Sequence, residues 1–475
     1  MIARPLWQHQ VEGIRLGMSM RDLGLFFEQG TGKSRTTIEV LRRRYADKKR
    51  LMKTLILCPQ IVCDNWKQEF FMYSKIAGHD IVVLDKSGKK RVKRFLEAVG
   101  DTLSRPKIII TNYEALQMKE LYDLLIGWEP EILVCDESQR LKNPSGVRAK
   151  AAARLSDLTQ HNYILTGTPI LQGSMDAFMQ FRILDRGETF GKNFWAFKSR
   201  YFFDKNSGMP KNVHFPKWLA RPDMEPEMRV RLQSKSMRVL KADCLDLPPL
   251  VRQHVYVELG LEQRRMYKEM LRDFVTWIES KHNEPRAVVA QLAVTKALRL
   301  QQIVSGFAKD DTGVEHQVQN NPRLDALREL LEDLTPNHKV IVWANFIENY
   351  KMIAKLCEIM GVKYKEIHGG IDNKEKQNNM QEFREDPSIR VMIANQRAAG
   401  LGVNLVEASY MIYYSKGFSL EDDLQSEARN YRGGSEIHDK VTRIDLVCKD
   451  TIDTLINEAL EQKKNVSERL IDWRG

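Results

Sequence analysis

No apolar run in this 475-residue chain approaches the eighteen or so residues that a bilayer span requires. The stretch Met1 to Gln10 lacks the charged-then-apolar pattern of a secretion signal. Cysteine is sparse: Cys58, Cys63, Cys135, Cys244, Cys357 and Cys448 form no C-x-x-C pair and no Cys/His quartet, which argues against a zinc site. Cys58 and Cys135 sit in apolar runs and read as buried, reduced thiols, as in a reducing compartment. There is no short-period repeat, low-complexity tract or long charge block, and nothing resembles an appended nuclease, zinc or reader module. These absences predict a soluble, intracellular protein. Acid is also in deficit: 63 Asp and Glu face 74 Lys and Arg, a net charge of +11. That excess fits a polyanionic partner. With 43% hydrophobic and 29% charged residues, the composition is that of a globular protein of two or three packed domains.

Short β-branched apolar runs alternate with helix-period segments. In the first half they are Thr54–Cys58, Ile81–Leu84, Lys107–Thr111, Glu131–Cys135 and Asn162–Leu165; in the second, Lys339–Trp343, Arg390–Ala394, Tyr410–Tyr414 and Thr442–Val447. Continuous apolar strands between helices predict parallel sheets covered on both faces. The expected fold is α/β: two parallel-sheet lobes in tandem, residues 1–185 and 322–475, with helical insertions and a linker over 186–321. In that middle region Leu261–Lys281 and Arg286–Ile303 read as amphipathic helices, and Leu247-Pro248-Pro249 as a hinge.

Gly30-Thr31-Gly32-Lys33-Ser34 follows the apolar Leu23–Phe27 and precedes a helical stretch. Strand, glycine-rich turn and helix form the context of a phosphate-binding loop. The glycines admit backbone amides to the phosphates, and the helix N-terminus adds partial positive charge. Lys33 is expected on the β/γ phosphates and the Ser34 hydroxyl on Mg2+. Phe27 stands where the first glycine of the full pattern would be. Ile132-Leu133-Val134-Cys135 ends at Asp136-Glu137, so two carboxylates fall at the C-terminal end of a strand. Asp136 can hold Mg2+ and Glu137 can polarise the attacking water. Downstream, Arg429 and Arg432 lie three apart and would share a face if the segment were helical. An arginine delivered to the γ-phosphate stabilises transition-state charge.

Taken together these stretches resemble helicase superfamily two, and within it the Swi/Snf-type DNA translocases. Trp7 to Gly13 resembles the adenine-reading glutamine motif with Gln10 as reader. Leu55 to Pro59, with Asn65-Trp66 and Glu69-Phe70, is similar to motif Ia. Thr111-Asn112-Tyr113-Glu114 resembles motif Ib, Asp136 to Asn143 motif II, and Leu165 to Ile170 motif III. Lys339 to Phe346, Arg397 to Leu405, and Gln425 with Arg429, Arg432 and Gly434 resemble motifs IV, V and VI. The match keeps the family's order over nearly the whole chain.

The resemblance implies two RecA-like lobes with ATP in the cleft. It also implies that Gln10, Gly30, Thr31, Gly32, Lys33, Ser34, Gly402 and Gln425 bind the nucleotide. Lys33, Asp136, Glu137, Arg429 and Arg432 would carry hydrolysis, and Thr166 and Thr168 would couple the sites. Nucleic-acid contacts would fall on Pro59, Thr111, Asn112, Lys142, Asn345, His368, Gly369, Arg397 and Asn404, largely through phosphates and without sequence preference. Three departures stand out. Gln139 replaces the usual motif II histidine, Tyr431 replaces one of motif VI, and Gly417-Phe418-Ser419 stands where Trp-Asn-Pro is common. Trp343 reads as core and Trp66 as packing on the lobe surface. The expectation is a compact, monomeric, ATP-driven translocase on duplex or branched DNA, in recombination, repair or replication-fork processing, with a protein partner unidentified; its compartment is expected to be a bacterial cytoplasm or a virus-infected host cell, with the nucleus as the alternative. A strand-separating helicase and a DNA-binding scaffold that has lost hydrolysis are the alternatives.

Overall fold

A computed structural model describes residues 5–84, 88–100, 107–209, 216–244, 246–280, 286–309, 314–397 and 404–471. The chain forms two compact units, Met1–Leu245 with Lys463–Gly475, and Asp246–Gln462.

In the first unit the apolar runs become strands β1 (Leu23–Phe27), β2 (Thr54–Cys58), β3 (Ile81–Leu84), β4 (Ile108–Asn112), β5 (Ile132–Asp136) and β6 (His161–Leu165). A ribbon of β7 (Phe202–Asp204) and β8 (Trp218–Ala220) follows, then β9 (Ser236–Val239). Among the described residues the main sheet is seven-stranded and parallel, in the order β3-β4-β2-β5-β6-β1-β9. Its inner strands are mainly apolar because both faces are covered. Leu55 and Leu57 point into one core, with Phe95, Leu121 and Phe178 from the helices on that face. Ile56 and Cys58 point into the other, with Ile14, Ile38, Trp66 and Phe70.

The second unit repeats the plan with β10 (Leu250–Val257), β13 (Val340–Ala344), β14 (Lys363–Ile367), β15 (Ile389–Asn395), β16 (Tyr410–Tyr413) and β17 (Val441–Cys448). A two-stranded ribbon, β11 (Phe307–Lys309) with β12 (Glu315–Gln317), lies apart from them. The described sheet is parallel, in the order β10-β17-β16-β13-β15-β14. Val340 and Val342 face one core, Ile341 and Trp343 the other. Trp343 is thus a core residue, as its strand context predicts.

The α/β class and the two parallel sheets agree with the sequence reading. The helices Leu261–Ser280 and Arg286–Val304 fall where amphipathic segments are predicted. The structure adds three edge strands. β9 and β10 come from the stretch read as insertions and linker, and join the first and second sheets respectively. β14 closes the far edge of the second sheet. Each reads poorly as a buried strand, because an edge strand carries polar residues: Ser236 and Arg238, Arg252 to His254, and Lys363, Lys365 and Glu366.

Candidate nucleotide site and nucleic-acid face

Strands β5, β6 and β1 are neighbours, and the candidate chemistry lies at their C-terminal ends. This edge is where open α/β sheets hold ligands. β1 runs into the glycine-rich loop, where Gly30 and Gly32 adopt φ of +86° and +88°. A side chain there would be strained, and a Cβ on Gly32 would also collide with the Gln10 amide. Helix Lys33–Lys48 begins directly after Gly32, which turns its first amides toward the loop. The Lys33 ammonium donates to the Phe27 carbonyl, 3.0 Å. The Thr31 hydroxyl donates to the Glu28 carbonyl, 2.7 Å, and the His9 ring bonds the Thr31 carbonyl, 2.8 Å. Gln10 is buried, its Oε1 accepting from the Trp7 amide at 3.1 Å. Ser34 occupies the first turn of the helix, half-buried.

Asp136 ends β5 and is 8% exposed. Burial first, and then the adjacent Glu137 charge, pushes its carboxyl up to about 6, while Lys33 and two hydrogen bonds oppose the rise. The donors are the Trp66 indole to Oδ2, 2.9 Å, and the Glu137 amide to Oδ1, 3.0 Å. Tyr113 donates its hydroxyl to the Asp136 carbonyl, 2.5 Å. Glu137 adopts a left-handed backbone, φ +53°, and its Oε2 accepts from the Gln139 amide at 2.8 Å. The residue standing in place of a histidine therefore holds the expected water-polarising carboxylate. Thr166 at the end of β6 is fully buried, and its Oγ1 accepts from the Thr168 amide, 3.0 Å.

Gln180, a buried residue of helix Asp176–Asp185, joins two of these segments. Its Oε1 accepts from the Ser138 hydroxyl, 2.8 Å, and its Nε2 donates to the carbonyls of Pro169 and Asp176 at 2.5 and 2.9 Å. Nothing in the local pattern marks this glutamine. Gln180→Leu strands the Ser138 hydroxyl and the Pro169 carbonyl in the core. A loss of about 1–3 kcal/mol is expected in urea unfolding. No measurable loss would show that water replaces the amide.

The first-unit nucleic-acid candidates are placed less openly than their sequence suggests. Pro59 and Asn112 are buried, and Thr111 is wholly buried with its hydroxyl given to the Leu84 carbonyl, 3.2 Å. Gln60 is exposed at that edge, and its Oε1 accepts from the Asn112 amide at 2.5 Å. Lys142 is half-buried against Asp176, 3.4 Å. Trp66 is 2% exposed, contrary to its reading as a surface residue, because helix Cys63–Tyr73 turns it onto the sheet.

In the second unit, Asn345, His368, Gly369 and Arg397 also gather at the C-terminal ends of strands: β13, β14 and β15. Arg397 is exposed and reaches Asp422, 3.3 Å. His368 stacks on Tyr350, 4.6 Å between ring centroids, and Gly369 is exposed beside it. The Asn345 amide donates to the Ser415 hydroxyl, 2.9 Å, and the Asn404 carbonyl accepts from Arg384, 2.8 Å. Gly402 lies outside the described residues. Gln425 sits on helix Leu420–Glu427, hydrogen-bonded to Glu421 at 3.2 Å. The helix ends at Glu427, so Arg429 and Arg432 lie in the turn beyond it rather than on one helical face. Arg429 is 7% exposed and Arg432 half-buried.

A buried ion cluster fixes that helix. Arg443 of β17 donates to Asp423, 2.7 Å, and to Glu427, 2.9 Å. Burial works against the Asp423 charge, but Arg443 and Lys416 hold its carboxyl below the usual range.

The family described as SNF2-related domain matches residues 9–306, and the helicase conserved C-terminal domain matches 322–434. A zebrafish (Danio rerio) chromodomain-helicase-DNA-binding protein 1-like is 24% identical over 98% of this chain and 44% of its own length. A Caenorhabditis elegans SWI/SNF-related matrix-associated actin-dependent regulator of chromatin subfamily A-like protein 1 homolog is 26% identical over 97% of this chain and 61% of its own. The chain thus spans about half the length of these curated relatives. A putative protein p41 of Acyrthosiphon pisum secondary endosymbiont phage 1 is 24% identical over 94% of this chain and 93% of its own. The Sulfolobus solfataricus SWI2/SNF2 ATPase core in complex with dsDNA is 23% identical, covers 99% of this chain, and superposes with a TM-score of 0.45. With a family match over more than half of its residues, the chain belongs to the SNF2-related family of helicase-like ATPases.

Proposed function

We propose that this protein hydrolyses ATP and uses the cycle to translocate along DNA, with duplex or branched DNA as the track. The observation that supports it most is the convergence of the glycine-rich loop, the Asp136–Glu137 pair and Thr166 at the ends of three adjacent strands. In this reading the loop amides and Lys33 take the phosphates, Lys33 exchanging the Phe27 carbonyl for them. Gln10 reads the base beside Gly32. Glu137, held by Gln139, orients and deprotonates the attacking water. Arg429 and Arg432 stabilise the charge that develops on the transferred phosphoryl group.

A divalent cation fits the donor set. Asp136 is a buried carboxyl pushed up by its surroundings and by Glu137, and a cation would relieve both effects. Ser34 and Asp136 would hold Mg2+, which when bound supplies charge neutralisation at the phosphates.

The +11 net charge and exposed groups such as Arg397 and Gly369 support phosphate-dominated DNA contact, with Lys142, Asn345, His368 and Asn404 beside them. On the first unit, Pro59, Thr111 and Asn112 act by shaping the edge that presents Gln60. Among the described residues no helix is long and apolar enough to cross a membrane. The pathway proposed is recombination, repair or replication-fork processing. The test is displacement of a third strand from a triplex flanked by duplex. Translocation predicts ATP-dependent release of the third strand with the duplex left paired. Unwinding of a forked duplex without triplex displacement would favour a strand-separating helicase instead.

A further inference from the structure

We propose that Trp66 is a positioning residue for this ATPase: its indole N–H fixes the Asp136 carboxylate and ties the nucleic-acid edge of the first unit to the nucleotide site. The inference rests on the ATPase reading above and adds a route of coupling to it.

A buried tryptophan gains from an acceptor for its N–H, and any backbone carbonyl would serve. Trp66, in a core with Cys58, Cys63 and Phe70, instead gives its N–H to Oδ2 of Asp136 at 2.9 Å. The Glu137 amide takes Oδ1 at 3.0 Å, so the two donors together set the plane of the carboxylate. A hydrogen bond to a charged group inside a protein is worth more than a neutral one and is directional.

The sequence neighbours of these donors matter as much. Helix Cys63–Tyr73, which carries Trp66, starts directly from the short turn Gln60–Val62 after Pro59. Asn112 caps the turn Tyr113–Gln117 by accepting from the Ala115 amide, 3.2 Å, and gives its own amide to Gln60. Tyr113, the first residue of that turn, donates to the Asp136 carbonyl. Both segments proposed to shape the DNA edge therefore end on one residue, Asp136, through one side-chain donor each. A displacement of Gln60 or Asn112 by bound DNA would be felt at Asp136, at its carboxylate through Trp66 and at its backbone carbonyl through Tyr113, without passing through Thr166 and Thr168.

The test replaces the N–H alone. Trp66→Phe is the simple variant. Benzothienylalanine incorporated at position 66 keeps the indole shape with sulfur in place of N–H, so folding is preserved if the smaller ring destabilises the core. Two quantities are read on each: the Mg2+ concentration that half-saturates binding of a non-hydrolysable ATP analogue, by calorimetry, and the ratio of duplex-stimulated to basal ATP hydrolysis. The expected result is an Mg2+ requirement raised about tenfold, the scale of one charged hydrogen bond, with Mg2+-free nucleotide affinity unchanged and the duplex stimulation ratio reduced. An unchanged Mg2+ requirement overturns the positioning role. A raised requirement with full duplex stimulation overturns the link to the nucleic-acid edge. Absence of hydrolysis in the wild-type protein would instead fault the underlying ATPase reading.

Discussion

Glu137→Gln is expected to bind ATP within a few-fold of wild type and to hydrolyse it about 10²–10⁴ times more slowly, the usual contribution of a positioned general base. The geometry makes this substitution a clean one. The Glu137 carboxylate is an acceptor for Gln139 at 2.8 Å, and a glutamine carbonyl at the same place can still accept that bond. The left-handed backbone at φ +53° is a property of the turn and is carried equally by either residue. Lys33 and the loop amides are untouched. What disappears is the basic lone pair that takes the proton from water. Single-turnover hydrolysis alongside binding of a fluorescent ATP analogue separates the two effects. Near wild-type turnover would remove Glu137 from the chemistry and leave Asp136 as the only carboxylate at this strand end to consider.

Arg432→Ala is expected to lower kcat by about 10³–10⁵ while most ATP affinity is kept, because an arginine on the transferred phosphoryl group acts mainly in the transition state. The structure separates the two motif VI arginines. Arg429 is 7% exposed, so its truncation is expected to cost stability as well as rate; Arg432 is half-buried and its effect should be catalytic. Arg432→Lys keeps charge but loses the planar fork, and should recover only part of the rate. A variant whose loss appears as weakened ATP binding with normal kcat would show that Arg432 is a ground-state contact instead.

The sequence made legible what depends on continuous apolar strands and on short strings with fixed chemistry. Ile132 to Cys135 predicts a buried strand, and Asp136 at its end follows from that alone; Gly30 to Ser34 predicts a strand-turn-helix, and the positive φ of both glycines confirms why glycine is required. Less legible were features set by a partner distant in the chain. β9 and β10 are polar edge strands whose pairing is decided by β1 and β17. Trp66 looks like any amphipathic-helix tryptophan until Asp136, seventy residues away, is placed against it. Gln180 has no pattern of its own, and its role appears only once Ser138 and Pro169 surround it. The three-residue spacing of Arg429 and Arg432 gives a shared face only on a helix, and the helix stops at Glu427, anchored by Arg443. Burial of Pro59, Thr111 and Asn112 was equally invisible, because a strand end looks the same in sequence whether its last side chain points out or in.

The most direct test of the account is steady-state ATP hydrolysis without nucleic acid and with single-stranded DNA, duplex DNA, branched DNA and RNA, using Lys33→Ala as the blank. A translocase on DNA is expected to show hydrolysis that duplex or branched DNA stimulates and that the blank loses. Hydrolysis that no nucleic acid stimulates, or that persists in Lys33→Ala, would contradict that expectation.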